Sequence, residues 1–383
     1  MNNFELIEKY CLHNKLTTYD PYDIWKTNLG IKVKQLYYKN KYLGLMPAGF
    51  LAIYDLYINN SMRIGYKKQE YPIVRAQATL ALLNLYKKES KPIYFEYAKK
   101  NIDWLLENSS KGYNGKCWGT GFRIVISDTL IYDEKVPFST NTPYILEALY
   151  EYFNITDDVT ILEVMQSIYD FYEKDLVVLQ EDENMLITSY GPFKDRIVTN
   201  AVSYTMFAYS IFYKLFDNKK KYIAQKIEKM MNFITSVQRK DGSWLYAPYD
   251  TNSFIDCFHS AFVLKNIIKT SKNTELELKS KVVNSGYTYI KENFLDESFG
   301  LFKRFSISNK PSLTKFDLYD NAEMLYLAML MDDSELFKSL EKNIEIYFYS
   351  NKNIYSLIDM FKMKKNKNTL RWAVMPYLLA KSL

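Results

Sequence analysis

VTNAVSYTMFAYSIFYKLFDNKKKYIAQKIEKMMNFITSVQRKDGSWLYAPYDTNSFIDCFHS, residues 198–260, holds one full structural period of this chain. Apolar residues recur at three- and four-residue spacing over 198–217 and again over 220–238, the pattern of two amphipathic helices. The short charged turn DNKKK joins them, and a Gly- and aromatic-bearing loop, DGSWLYAP (241–248), follows the second. A polar helix start, TNSFIDCFHS, then opens the next period.

The same period runs outward in both directions. Helix pairs are predicted at 72–88 with 93–108, 141–154 with 158–175, 253–270 with 275–293, and 317–332 with 335–349, before a last helix at 369–382. Matching loops are GYNGKCWG (112–119), SYGP (189–192) and SFGLFKRF (298–305), and matching polar starts are STNTPY, IVTNAVSY and FDLYDNAE. Helix, short turn, helix, long loop is the grammar of stacked helical hairpins. An open solenoid spreads its polar binding residues along a whole concave face. Here the polar residues sit at one end of alternate helices, as in a ring whose inner helices share one mouth. The expected fold is therefore all-α, an (α/α) toroid of five to six hairpins forming a single domain over 1–383. Residues 1–68 are less regular; IKVKQLYYKNKYLGLMPAGFLAIYDLYI is expected to supply another pair, and YDPYDIW (19–25) a loop over the mouth. There is no G-x-G-x-x-G, no P-loop and no alternation of strand with helix, which excludes a Rossmann sheet.

Of 383 residues, 48% are hydrophobic and 25% charged, values of a folded globular chain. Aromatics reach 16%, with 35 Tyr and 23 Phe. Coding bias toward Tyr accounts for part of this; rings that line a cleft and stack on sugars account for the rest. The net charge of +6 is spread along the chain, and its one dense run, KMKKNK (362–367), reads as a solvated turn between helices. That distribution excludes a nucleic-acid partner, while a mild positive excess favours an anionic glycan. No apolar stretch approaches the ~18 residues of a membrane span. The N-terminus lacks a secretion signal, and Cys11, Cys117 and Cys257 make no disulfide framework, so a cytoplasmic, reduced protein is expected. Neither a cofactor nor a metal is expected; Cys257 and His259, two apart on a helix, point to different faces. A homodimer is compatible with all of this.

If the polar starts converge, they bring together Asn141, Asn200, Tyr204, Asp256, His259, Asp317, Tyr319 and Glu323. The loops add Trp118, Arg123, Tyr190, Arg196, Trp244 and Tyr246. Each Asn or Asp alone could be a helix cap; the register of four loops with four starts points to one cleft. Asp256 and His259 lie three apart on one helix face, so the carboxylate can orient the imidazole as a general base or acid. Asp256 with Asp317 or Glu323 could instead form the carboxylate pair of a glycosidase. A third chemistry, elimination or epimerisation beside a uronate carboxylate, needs Asn, Arg or His to neutralise that carboxylate. It also needs a Tyr or His to move the proton, and Asn200, Arg196, His259, Tyr190 and Tyr204 are those residue types.

QRKDGSW (238–244) followed by DCFHSAFVL (256–264) resembles (α/α)-toroid proteins of bacterial surface-polysaccharide gene clusters, where a Q-x-x-D-G-S-W loop precedes a D-x-F-H-[ST]-x-F helix. YDPYDIW, CWG (117–119) and LRWAVMPYLLA (370–380), which holds Arg371 and Trp372, are similar to other landmarks of that group. Its fold is like that of polysaccharide lyases, glucuronyl hydrolases and uronyl epimerases. The resemblance implies an enzyme of capsule or O-antigen metabolism, working by hydrolysis, elimination or C5 epimerisation on an anionic oligo- or polysaccharide. His259 and Asp256 would move the proton, with Glu323 or Asp317 as second acid. Arg123, Arg196 and Asn200 would hold an anionic group and the aromatics would stack on sugar rings. Where other members carry a second His, this chain has FDLYDNAEM (316–324), which weighs against a two-imidazole mechanism. A non-catalytic glycan-binding toroid is one alternative. A terpene cyclase or prenyltransferase-like toroid is another, since QRKDGSW also resembles the QW repeat of terpene cyclases, but their D-x-D-D acid is missing.

Overall fold

The computed structural model describes residues 3–194, 196–277 and 279–383. The chain opens with α1 (Asn3–Cys11), then a hairpin of α2 (Asn28–Lys39) and α3 (Lys41–Ile53). Five hairpins follow: α4 (Pro72–Glu89) with α5 (Pro92–Glu107), α6 (Thr142–Thr156) with α7 (Val159–Lys174), and α8 (Thr199–Leu215) with α9 (Lys220–Ser236). The fourth and fifth are α10 (Cys257–Asn273) with α11 (Ser280–Phe294) and α12 (Leu318–Leu330) with α13 (Ser334–Phe348). The last helix is α14 (Met375–Ser382).

The even-numbered helices from α4 to α14 pack each against the next, and α14 returns to α4, closing an inner ring of six. The protein is an all-α toroid. Its sixth pair is made by the chain ends: α1 lies outside α14, with Cys11 Sγ 3.7 Å from Met375 Sδ and Tyr10 bonded to Asn368. The α2–α3 pair expected from residues before Pro72 exists, but it stands outside the ring.

Burial explains which helices are inside. In α8 every residue from Thr199 to Phe212 is buried, so its apolar residues surround the axis instead of forming one stripe. In α9 the buried Ile223, Ile227, Met230 and Ile234 form a stripe, and Lys and Glu cover the outer face. Proline at the first turn starts α4, α5 and α6, where its missing N–H leaves no bond unmade.

Three of the four recurring Gly-aromatic loops turn out to be ties between outer helices; Gly191 of the fourth presses on Pro137 and Phe193 instead. Gly115, Gly242 and Gly300 each press against the next outer helix: a Cβ would fall 1.9 Å from Ser167 O, 2.3 Å from Ser285 O and 2.2 Å from Asn343 Nδ2, respectively. Gly242 also needs its φ of +91°. Trp118 and Trp244 complete two of these ties, donating their indole N–H to Leu105 O (2.8 Å) and Ile234 O (2.9 Å). Both rings are buried, at 0% and 3% exposure, so they are mortar between hairpins and not sugar platforms, which corrects the expectation from sequence.

KMKKNK is likewise not a turn between helices. Lys364–Lys367 pairs antiparallel with the strand Asn353–Asp359, which also pairs with Thr314–Asp317. This small sheet, the largest among the described residues, walls one side of the mouth.

Candidate functional site

The starts of the inner helices do converge, and α10 supplies the centre. Asp256, in extended backbone just before the helix, is 3% exposed and lies three residues before His259, which therefore turns back over it. His259 Nδ1 is 2.8 Å from both carboxylate oxygens. A carboxylate only accepts, so Nδ1 carries a proton, and in the neutral imidazole the lone pair falls on Nε2. Nε2 has no hydrogen-bond partner among the described residues, and the side chain is 19% exposed, open to the mouth.

Aromatic rings form a cup around it. Centroids of Phe258, Tyr246, Phe262 and Phe254 lie 4.0, 4.7, 5.8 and 6.1 Å from the imidazole. The Tyr246 hydroxyl meets that of Tyr190 at 3.0 Å, and Tyr190 donates to Asn200 Oδ1 at 3.1 Å. Arg196 borders this wall, half exposed, with its guanidinium 5.5 Å from the Tyr246 ring and 3.3 Å from Asp250. Deeper in, Tyr204 and Tyr144 share a hydroxyl contact of 2.7 Å. Burial, with Tyr319 and Glu323 nearby, pushes the Tyr204 phenol far above its usual range, so it stays a neutral hydroxyl.

The opposite wall is built on Arg304, which no sequence signal singled out among 50 basic residues. Its guanidinium bonds Asp317, Asp320 (3.1 Å) and Tyr22 (3.0 Å) and lies over the Phe258 and Trp372 rings. Tyr319 packs on Trp372 at 4.6 Å. The 19–25 segment docks here too: Tyr22 meets Trp372 edge-on at 5.1 Å, and Asp20 binds Arg371 and Lys26.

Not every expected residue is available. Asp317 is fully buried and takes Arg304, Trp372 Nε1 (2.8 Å) and Tyr319 N (2.9 Å), leaving no oxygen to act as an acid. Glu323, 2% exposed, is paired with Lys265, and Glu147 with Lys269, along the ring's axis. With Asp317 and Glu323 both tied up in ion pairs, the expectation that either serves as a glycosidase's second carboxylate is corrected. Arg371 is spent on Asp20. Arg123 is exposed and bonded to Asn28 of α2 at 2.8 Å, apart from the cup. Asn141 is half-buried at the start of α6, without a side-chain bond among the described residues.

Two lysines were missed. Lys34 of α2 is pushed down to about 8 by burial, then by the charges of Lys310 and Lys26. Lys310 in turn feels Arg304 and Asp256. Neither lysine pairs with a carboxylate among the described residues. The arrangement thus combines an aimed imidazole, neutral tyrosines and lysines without a bonded carboxylate.

Two surface recesses lie elsewhere, one beside Trp104 and Glu134, the other between Met231 and Val282. Neither includes any residue of the cup.

No protein-family profile and no curated protein matches the sequence. Solved structures do match in fold. A cellobiose 2-epimerase from Bacillus thermoamylovorans aligns at TM-score 0.64 with 12% identity, over 82% of this chain and 86% of that one. A polysaccharide lyase aligns at 0.57 with 11% identity over 93% and 97%, and a family 88 glycosyl hydrolase from Bacteroides vulgatus at 0.58 with 10% over 81% and 90%. At these identities the likeness establishes the toroid.

Proposed function

We propose that this protein is a carbohydrate-active enzyme that abstracts the proton beside the carboxylate of a uronate-containing saccharide, as a lyase or C5 epimerase of surface-polysaccharide metabolism. One observation carries the reading: Asp256 fixes His259 with Nε2 open to the mouth, while Asp317 and Glu323 are tied up in ion pairs. A base is free, and a carboxylate pair is not. The fold shared with an epimerase, a lyase and a glycosyl hydrolase supports a saccharide in the mouth.

In this scheme Lys34, Lys310 and Arg196 draw the uronate carboxylate, lowering the barrier to carbanion formation at C5. His259 Nε2 takes the C5 proton, and Asp256 stabilises the imidazolium. In elimination, the C5 electron pair forms the C4–C5 double bond as the C4–O bond breaks, and the Tyr246 hydroxyl turns its proton from the Tyr190 oxygen to the departing oxygen. In epimerisation the same hydroxyl returns a proton to C5 from the other face.

Incubation of uronate oligosaccharides in D2O tests this. Deuterium at C5, or an unsaturated uronate end, is expected; new reducing ends without either would indicate hydrolysis and sink the proposal. Affinity should also depend on pH. Lys34 is charged below about 8, so binding of the anionic saccharide should weaken as pH rises through that value. Lys34→Met should bind more weakly at pH 7 and lose that inflection, as titration calorimetry would show.

A further inference from the structure

Nothing in the ring covers the outer face of α3. The α2–α3 hairpin keeps a small core of its own, Ile24, Val33 and Leu51. Gly44 lets its helices close, since a Cβ there would fall 2.2 Å from Tyr37 Cα. On the far side Tyr42, Met46, Phe50 and Ile53 recur at helical spacing as one stripe, exposed by 89, 83, 69 and 50%. The tip of the 353–367 strand hairpin extends it: Phe361, 67% exposed, meets Tyr57 just beyond α3 at 6.1 Å, and Met360 is exposed beside it. A soluble surface seldom leaves so much contiguous apolar area in water.

The charge around the stripe has one sign. Leaving aside Lys34, which serves the mouth, and the buried Arg63, residues 28–68 hold five exposed Lys against a single carboxylate, Asp55, which is buried and takes the Tyr66 hydroxyl. Residues 360–367 add four Lys and no carboxylate. Lys39 and Lys41 flank the start of the stripe and Lys362 follows Phe361, all exposed.

We propose that this face docks the protein on an anionic lipid bilayer, with α3 lying in the interface plane. The stripe enters the boundary between headgroups and acyl chains, and the lysines meet lipid phosphates. A second copy fits less well, because a two-fold interface would bring two lysine-bearing faces of the same sign together. No helix among the described residues is long and apolar enough to cross a membrane, so the association is peripheral. This inference stands on this outer face and is independent of the reaction at His259.

Vesicle co-sedimentation of the full chain decides it. Binding is expected to vesicles of phosphatidylcholine mixed with phosphatidylglycerol, weakly to phosphatidylcholine alone, and with a steep loss in high salt. The double variant Met46→Glu/Phe50→Glu, at mostly exposed positions, should keep its thermal midpoint and lose about tenfold or more in binding. Lys39→Gln/Lys41→Gln should lose the salt-sensitive part. Failure of the wild type to bind mixed vesicles, or equal binding by the Glu variant, overturns the proposal. So does a dimer in sedimentation velocity that the Glu variant abolishes, which would assign the stripe to a second copy.

Discussion

His259→Ala is expected to lower turnover of a uronate oligosaccharide by about 10²–10⁴-fold, the usual worth of a positioned general base. KM should change little, because the ring contributes one face of the cup while charge recognition rests on Lys34, Lys310 and Arg196. Asp256→Asn should be nearly as damaging for a different reason. The amide can present its NH₂ to Nδ1, which forces the imidazole proton onto Nε2 and removes the lone pair that accepts from C5. The loss in that variant should therefore appear in kcat at neutral pH with the fold intact. Steady-state rates with thermal midpoints on both variants check it. Turnover within about twofold of wild type in both would remove His259 from the chemistry.

The His259–Asp256 pair was legible because its information is local: two residue types, three apart, at a polar helix start. The period of the hairpins was legible for the same reason, since burial on one face of each outer helix leaves a stripe in the sequence. The ring's closure was not. α1 is a short amphipathic segment among irregular residues, and only the tertiary contact of the two chain ends makes it the outer partner of α14. Trp118 and Trp244 misled because a large aromatic beside Gly looks alike whether its ring faces a sugar or the neighbouring helix. The positions of Gly115 and Gly242 against Ser167 and Ser285 decide for the helix. Lys364–Lys367 misled through composition: four polar residues give no alternation, and their strand partner Asn353–Asp359 carries the apolar pattern. Arg304 was invisible, since its three partners come from positions 22, 317 and 320 and no local pattern marks a residue that gathers distant ones.

Arg304 carries the second large expectation. Asp317 and Asp320 are both 0% exposed, and burial raises both carboxyls while the Arg304 guanidinium pulls them back. Arg304→Met fills much of the same volume but leaves two buried carboxylates without their shared cation, which should cost about 3–5 kcal/mol at neutral pH. The sign of the pH dependence follows from the raised values. A carboxyl whose folded pKa lies above its unfolded one binds more protons when folded, so its ionisation burdens the fold increasingly as pH rises through the folded pKa. Removing Arg304 raises those values further. The deficit should therefore be larger at pH 8 and shrink as pH falls toward 5, where protonation replaces the missing charge. Urea denaturation of wild type and variant at the two pH values measures it; a deficit independent of pH would show that Arg304 stabilises through packing on Phe258 and Trp372 instead. The variant should also report on the site. Asp320 Oδ1 accepts from the Phe258 N–H at 3.1 Å, so it pins the first turn of α10 one residue before His259. Loss of Arg304 loosens that pin, and kcat should fall in Arg304→Met even under conditions where the fold is fully populated. Arg304→Lys, which keeps the charge without the fork that spans both carboxylates, should recover part of the stability and less of the rate.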